Sequence, residues 1–300
     1  MAAVATTSAV PRRAALRVRV ARAAAPYLLI LPGGTWLLLF FVLPIVTLAI
    51  TSLETGDFIT GFTFALNFAN YPSGLQQYAP QFLHSLEYGG EATVLTFLVA
   101  YPAAYWIAFH AGPRKAAYLL VILLPFFVSF VIRTLSWETL LGDYGPVFKP
   151  LKDIGILPGD FRVLATPVAV VFGLAYTFFP FMMLPIYASL EKIDRRLVEA
   201  AEDLFANQFE VFRRVIFPLS LPGVFAGLLL TGIPSMADYI NQFLLGGTNT
   251  TMIGRVIEEQ FEVDLNYPLA ASLAFVFMLG LLAMLLLYQR FFGTKELLSD

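Results

Sequence analysis

Six long apolar runs stand out along the chain, at about residues 27–53, 88–110, 116–140, 166–189, 219–240 and 268–290. At ~1.5 Å rise per residue, runs of this length cross a ~30 Å hydrocarbon core as helices. The pattern predicts an all-α polytopic membrane protein with six transmembrane helices. It has a 1–26 N-terminal segment, a six-span domain over 27–292 and a 293–300 tail. One stretch is charged yet keeps helical periodicity. Across residues 190–217, apolar positions fall at Ile193, Leu197, Ala200/Ala201, Leu204, Val211/Phe212 and Val215. Spacings of three and four place them on one helical stripe. Glu199, Glu202, Asp203, Glu210, Arg213 and Arg214 occupy the other faces. This stretch predicts an amphipathic hairpin at one membrane surface, between the fourth and fifth spans, shaped to meet a partner outside the bilayer.

The connecting segments read as loops. Residues 54–85 hold Gly56, Gly61, Pro72, Gly74 and Pro80, no Lys or Arg, and many aromatics, among them Phe58, Phe62, Phe64, Phe68, Tyr71, Tyr78 and Phe82. Two readings fit: an interfacial aromatic belt, or a docking surface for a partner outside the cell membrane. A basic turn, Gly112-Pro113-Arg114-Lys115, reverses the chain after the second span. Residues 142–164 and 240–267 read as glycine-containing loops, and Pro180 and Pro185 interrupt the fourth span.

Composition sharpens this picture. The chain is 58% hydrophobic and 13% charged, against about half apolar and a quarter charged in soluble domains. The net charge of −2 gives no footprint for nucleic acid, and with no cysteine there is no disulfide, thiolate metal site or cysteine nucleophile. Orientation follows from the basic residues. With the N-terminus inside, the inner segments carry Arg12, Arg13, Arg17, Arg19, Arg22, Arg114, Lys115, Lys192, Arg195, Arg196, Arg213, Arg214, Arg290 and Lys295. The outer ones carry Arg133, Lys149, Lys152, Arg162 and Arg255. The positive-inside rule then puts both termini and the 190–217 hairpin in the cytoplasm.

The hairpin also carries a resemblance. Glu199-Ala200-Ala201, then Phe209, Phe212 and Val215, then Phe217-Pro218-Leu219-x-x-Pro222-Gly223, resemble the EAA signature of binding-protein-dependent ABC importer permeases. The segments at 123–141 and 178–204, and Asp238-Tyr239 followed by Leu244-Leu245-Gly246-Gly247, are similar to the first permease of spermidine/putrescine importers. The resemblance covers nearly the whole chain. It implies the type I ABC importer permease fold and a bacterial inner-membrane location. It implies a coupling helix that contacts an ATPase through Glu199, Ala200, Ala201, Asp203, Leu204, Phe205, Pro218, Pro222 and Gly223. It further implies a second homologous permease, two ATPase copies, an extracytoplasmic solute-binding protein, and transport by alternating access. No catalytic, metal or cofactor site belongs to this chain; ATP and Mg are held by the partner ATPase. Related permeases carry thiamine, ferric iron or phosphonates. One position departs from the pattern. Phe205 stands where the family has a glycine, and Asn207, the residue type next most tolerant of positive φ, is expected to take the bend.

Physical chemistry gives the same stretch a rationale of its own. Small residues at Ala200 and Ala201 permit close approach of another surface, and Glu199 offers a charge to a basic group or a helix N-terminus. Pro218 and Pro222 stiffen the entry to the fifth span. For a polyamine, carboxylates and aromatic faces are the complementary groups. Trp137, Glu138, Tyr176, Asp238 and Tyr239 supply both types and are the pathway candidates; ordinary packing or interfacial anchoring is the alternative for each. His84 and His110 have no partner at metal-ligand spacing. No GxxxxGK[ST] phosphate loop is present, so the chain does not bind ATP by that route. An ion-driven carrier is the rival reading, but no repeat relates residues 27–140 to 166–288, and the charges cluster at span ends. An integral membrane enzyme lacks a convergent catalytic set.

Overall fold

The computed structural model describes residues 30–203 and 207–292. The basic segment 1–26, the tail 293–300, and Leu204 and Phe205 of the hairpin lie outside the described residues. Among those described, five helices are long and apolar enough to cross a membrane, and six if one bent pair counts as a span.

Helix α1 (Ile30–Thr51) stands off the bundle with its span exposed. It opens into a wide π turn at Leu38–Val42, where the Leu43 N–H bonds to the Leu38 carbonyl. Pro44 explains the turn: it has no N–H to donate, and its ring crowds the carbonyl four residues back. A hairpin of β1 (Glu54–Asp57) and β2 (Gly61–Phe64) follows, in antiparallel register. Its turn is built on Asp57, whose Oδ1 accepts the Thr60 N–H at 2.6 Å, the Ile59 N–H at 2.9 Å and the Thr60 hydroxyl at 2.9 Å. These bonds, the Thr60 N–H foremost, hold the Asp57 carboxyl below its usual range. Phe58 and Ile59 at the tip are exposed.

Helix α2 (Asn70–His110) is 41 residues long and begins well before the span expected at 88, within the segment expected to be a loop. Pro72 sits in its first turn, where the missing N–H costs nothing. Pro80 produces a local break at Tyr78 (φ −113, ψ 18) without ending the helix. The expected third span, 116–140, is not one rod. Helix α3 (Lys115–Leu123) tightens into a 3-10 turn at Leu124–Phe127 around Pro125, passes through extended Val128, and restarts as α4 (Phe130–Leu141). The two halves meet at 88°. An unbroken apolar composition hides this corner.

A short α5 (Phe148–Asp153) lies in the following loop, where Asp143 pairs with Lys152 at 3.0 Å and Arg162 at 3.1 Å. Helix α6 (Pro167–Glu191) starts on a Thr166 cap and runs through Pro180 and Pro185. Then come α7 (Arg195–Asp203) and α8 (Gln208–Ala237). Residues 240–267, expected to be a loop, instead contain α9 (Ile240–Leu245) and α10 (Ile253–Glu262). Helix α11 (Tyr267–Phe292) completes the chain as described.

The centre is a tight packing of α2, α6 and α8. Lipid is as apolar as leucine, so helices in a membrane associate through close packing of small residues and interhelical hydrogen bonds. Both are visible. A Cβ on Gly223 would lie 2.4 Å from the Pro185 carbonyl oxygen, and one on Gly227 would lie 2.9 Å from that of Met182. The Tyr101 hydroxyl meets Ser220 Oγ at 2.9 Å in the buried core. Ser220 gives its own proton to the Phe217 carbonyl, so Tyr101 is the donor.

Candidate functional site

Helix α7 is short and highly amphipathic, and its inward residues Val198 and Ala201, with Ile193 just before it, rest on the α2/α6/α8 core. Asp194 caps its start, accepting the Arg196 N–H at 3.0 Å. Arg195 donates to the Phe109 carbonyl at the end of α2, at 3.3 Å. Lys115, on the turn after α2, pairs with Glu191 at the end of α6, at 2.7 Å. The helix is thus seated by its inner face and by Arg195 on the end of α2, with the Lys115–Glu191 pair fixing the end of α6 just before it. Glu199, Ala200, Glu202 and Asp203 are exposed, as are Leu197 at 49% and Phe209 at 69%. The expected stripe is therefore split: Ala201 turns inward, and Leu197 and Ala200 turn out beside the acids.

Asn207 does not take the positive-φ bend expected of it. Its φ is −74, and it forms a capping box: Oδ1 accepts the Glu210 N–H at 2.9 Å, and Glu210 Oε2 accepts the Asn207 N–H at 3.3 Å. From there α8 continues into the span through a π turn at Phe212–Ile216, where the Phe217 N–H reaches back to the Phe212 carbonyl. Pro218 forces this turn as Pro44 does in α1. Pro218 and Pro222 are exposed, whereas Gly223 is buried against α6, 2.5 Å from Ser189 Cβ for an added methyl. Of the proposed coupling set, Glu199, Ala200 and Asp203 face outward, Pro218 shapes the joint, and Gly223 serves helix packing.

The pathway candidates do not converge. Trp137 and Tyr176 meet edge to face at 5.2 Å. Phe126 stacks on Tyr176 at 5.4 Å, and the Arg133 guanidinium lies 4.5 Å from the Phe126 centroid and 5.9 Å from that of Tyr176. Arg133 Nε and Nη1 are buried without a hydrogen-bond acceptor. Asp238 is buried and its Oδ1 accepts the Asn241 N–H at 2.7 Å. The Asn241 amide lies 3.3–3.5 Å from the Thr134 and Thr177 hydroxyls. Glu138 instead faces a hollow in the loop after α4 with Asp143 and Tyr144. Tyr239 lines a separate cavity of about 660 Å³ between α8, α10 and α11, with Glu258 and Phe261.

Tyr176 and Thr177 belong to the middle third of the 25-residue α6, so the corner at Val128 and Ser129 and the break at Asp238 lie at membrane depth. Non-helical backbone there persists against protein or water and not against lipid. Val128 and Ser129 are exposed on this chain.

Residues 92–292 match the family of binding-protein-dependent transport system inner membrane components. The chain belongs to this family. The permease is 34% identical over 85% of its length to the spermidine/putrescine transport system permease protein PotB of Haemophilus influenzae, covering 90% of that protein. It is likewise 34% identical to PotB of Escherichia coli K12, covering 85% of this chain and 93% of that one. The fold matches a solved bacterial alginate ABC transporter, in complex with an alginate pentasaccharide-bound periplasmic protein, at a TM-score of 0.68 and 19% identity, over 91% of this chain and 95% of that chain. The resemblance first carried by Glu199-Ala200-Ala201 is borne out: this is an inner-membrane transport component with the type I importer permease fold. The family match spans α7 and α8 together with the Arg133 and Asn241 clusters. Reading the sequence alone missed Arg133 as the centre of an aromatic group, because the Phe126–Tyr176 contact joins positions far apart in the chain. It also missed Lys115 and Glu191, which give no local signal.

Proposed function

We propose that this permease forms half of the translocation pathway of an ATP-driven polyamine importer. The identity to two spermidine/putrescine permeases over most of both chains carries the substrate class. A second homologous permease covers the face bearing Val128 and Ser129. A pair of ATPase subunits takes the exposed surface of Leu197, Glu199, Ala200, Asp203 and Phe209, and a solute-binding protein docks on the outside. The chain does no covalent chemistry and holds no cofactor; ATP and Mg belong to the ATPase. Both termini are cytoplasmic, in keeping with the distribution of Lys and Arg. ATP binding closes the ATPase pair and moves α7, the two permeases rock to the outward-open state, and hydrolysis resets them.

The seating of α7 supports this reading. Its inner face is anchored, while its outer face leaves Leu197 uncovered beside Ala200, with Phe209 uncovered at the start of α8, apolar surface that a partner can bury. Radiolabelled putrescine and spermidine uptake in cells with and without the chain tests it. Uptake is expected to depend on the chain, and Ala200→Asp and Glu199→Lys are expected to abolish it with membrane insertion intact. Full uptake by both variants would refute the coupling surface; uptake unaffected by loss of the chain would refute the substrate class.

A further inference from the structure

We propose that α2 is the element through which α7 acts on the outer half of the permease, with Lys115, Glu191 and Ser85 as positioning residues. The proposal rests on the reading of α7 as the ATPase contact. At the inner end, Arg195 donates to the Phe109 carbonyl, one of the last carbonyls of α2, which lack partners within the helix. A cation also suits the negative end of the helix dipole. Lys115, the first residue of α3, bonds both oxygens of Glu191, the last residue of α6, at 2.9 and 2.7 Å, and so ties the turn that ends α2 to the helix end from which the chain passes into α7. Ile107 and Ala108 belong to the core on which α7 rests.

At the outer end, the same helix grips the segment leading into α10. Ser85 Oγ accepts the Ile253 N–H at 2.9 Å, and both residues are fully buried. His84 Nδ1 lies 3.0 Å from the Thr251 carbonyl, so that nitrogen is the donor. An added methyl on Gly89 would lie 2.9 Å from Met236 Cα, which puts the two backbones in direct contact just before the break at Asp238. Between Ser85 and Phe109 the backbone of α2 keeps helical φ/ψ throughout, with Pro102 accommodated inside the stretch. The other connection, from the hairpin into α8, passes through the widened turn at Phe212–Ile216. Such turns are where helices bend. A push at α7 therefore reaches the outer segment through the unbroken α2 and is partly absorbed on the way into α8.

The test uses the importer purified through a tag on this chain and reconstituted in vesicles, reading putrescine imported per ATP hydrolysed. Lys115→Glu and Glu191→Lys singly are expected to lower that ratio about fivefold or more. The double exchange restores it, and Ser85→Ala lowers it in the same direction. Unchanged ratios, or a double variant no better than the singles, overturn the proposal. The chain has no cysteine, so spin labels at the exposed neighbours Arg114→Cys and Lys192→Cys, which leave the ion pair intact, give a second measurement. Their separation is expected to be the same with and without ATP, and a separation that changes between the two states overturns the proposal as well. Ala200→Asp separates the two readings. If it leaves uptake intact, the coupling surface itself fails. If it abolishes uptake while the Lys115 and Glu191 variants keep a normal ratio, only the role of α2 fails.

Discussion

Gly223→Ala adds one methyl group at the closest approach of α8 to α6. The new carbon would stand 2.4 Å from the Pro185 carbonyl oxygen, 2.5 Å from Ser189 Cβ and 3.1 Å from Ile186 Cα. Favourable contacts begin at about 3.5 Å, so the two helices must part by roughly 1 Å. Two of the three atoms are backbone and cannot rotate away. Overpacking of this kind costs about 1–3 kcal/mol, and the gain in helix propensity from glycine to alanine offsets about 0.5–1 kcal/mol. The net loss is about 1 kcal/mol, or on the order of 2 °C in melting temperature for a chain of this length. Thermal unfolding of the purified permease in detergent measures it. Gly280→Ala is the control, since nothing lies within 4 Å of its Cβ position. Gly227→Ala should fall between the two, its nearest atoms being the Met182 carbonyl oxygen and sulfur, both at 2.9 Å. Equal melting temperatures for the Gly223 and Gly280 variants would refute the packing argument. That result would return Gly223 to the role in ATPase contact that its place in the signature suggests.

Two further outcomes follow from the same contacts. Tyr101→Phe and Ser220→Ala each remove the buried 2.9 Å bond between α2 and α8 and should cost about 0.5–1.5 kcal/mol. In a double-mutant cycle on thermal unfolding their coupling should be about 0.6 kcal/mol, the usual size within membranes, and strict additivity would show that the bond contributes nothing. Arg133→Met should keep or raise stability, because two guanidinium nitrogens are buried without an acceptor and such groups cost about 1–3 kcal/mol. A clear fall in melting temperature would mean that the stacking on Phe126 and Tyr176 outweighs that cost.

Much of the architecture was legible in the chain because each signal was local. The apolar run at 166–189 is long and flanked by Thr166 and Pro167, which cap and start α6. The amphipathic period at 190–217 announced a surface helix whatever it touches. The misreadings share one physical origin: what a proline does depends on its place in the turn and on what packs around it, which hydropathy does not report. Pro72 sits in a first turn and Pro80 only kinks, so α2 extends eighteen residues further than its apolar core. Pro125 does break a helix, but inside an unbroken apolar run where hydropathy gives no warning. The site was harder to read. Trp137 pairs with Tyr176, yet Glu138, its neighbour in sequence, points into the loop after α4, because adjacent positions on a helix face about 100° apart. Gly223 reads as part of a signature, and only the position of Pro185 on another helix reveals what the missing side chain makes room for.

The isolation of α1 carries a consequence for how the protein is made. Among the described residues its main neighbour is α11, so the first described span to be made finds its mate in the last described one. At about 5–20 residues per second, the interval between them lasts on the order of tens of seconds. During that time the first span must be lodged in lipid or held by the insertion machinery, and a nascent chain cut short before residue 267 would leave it there, membrane-bound but without a place in the bundle.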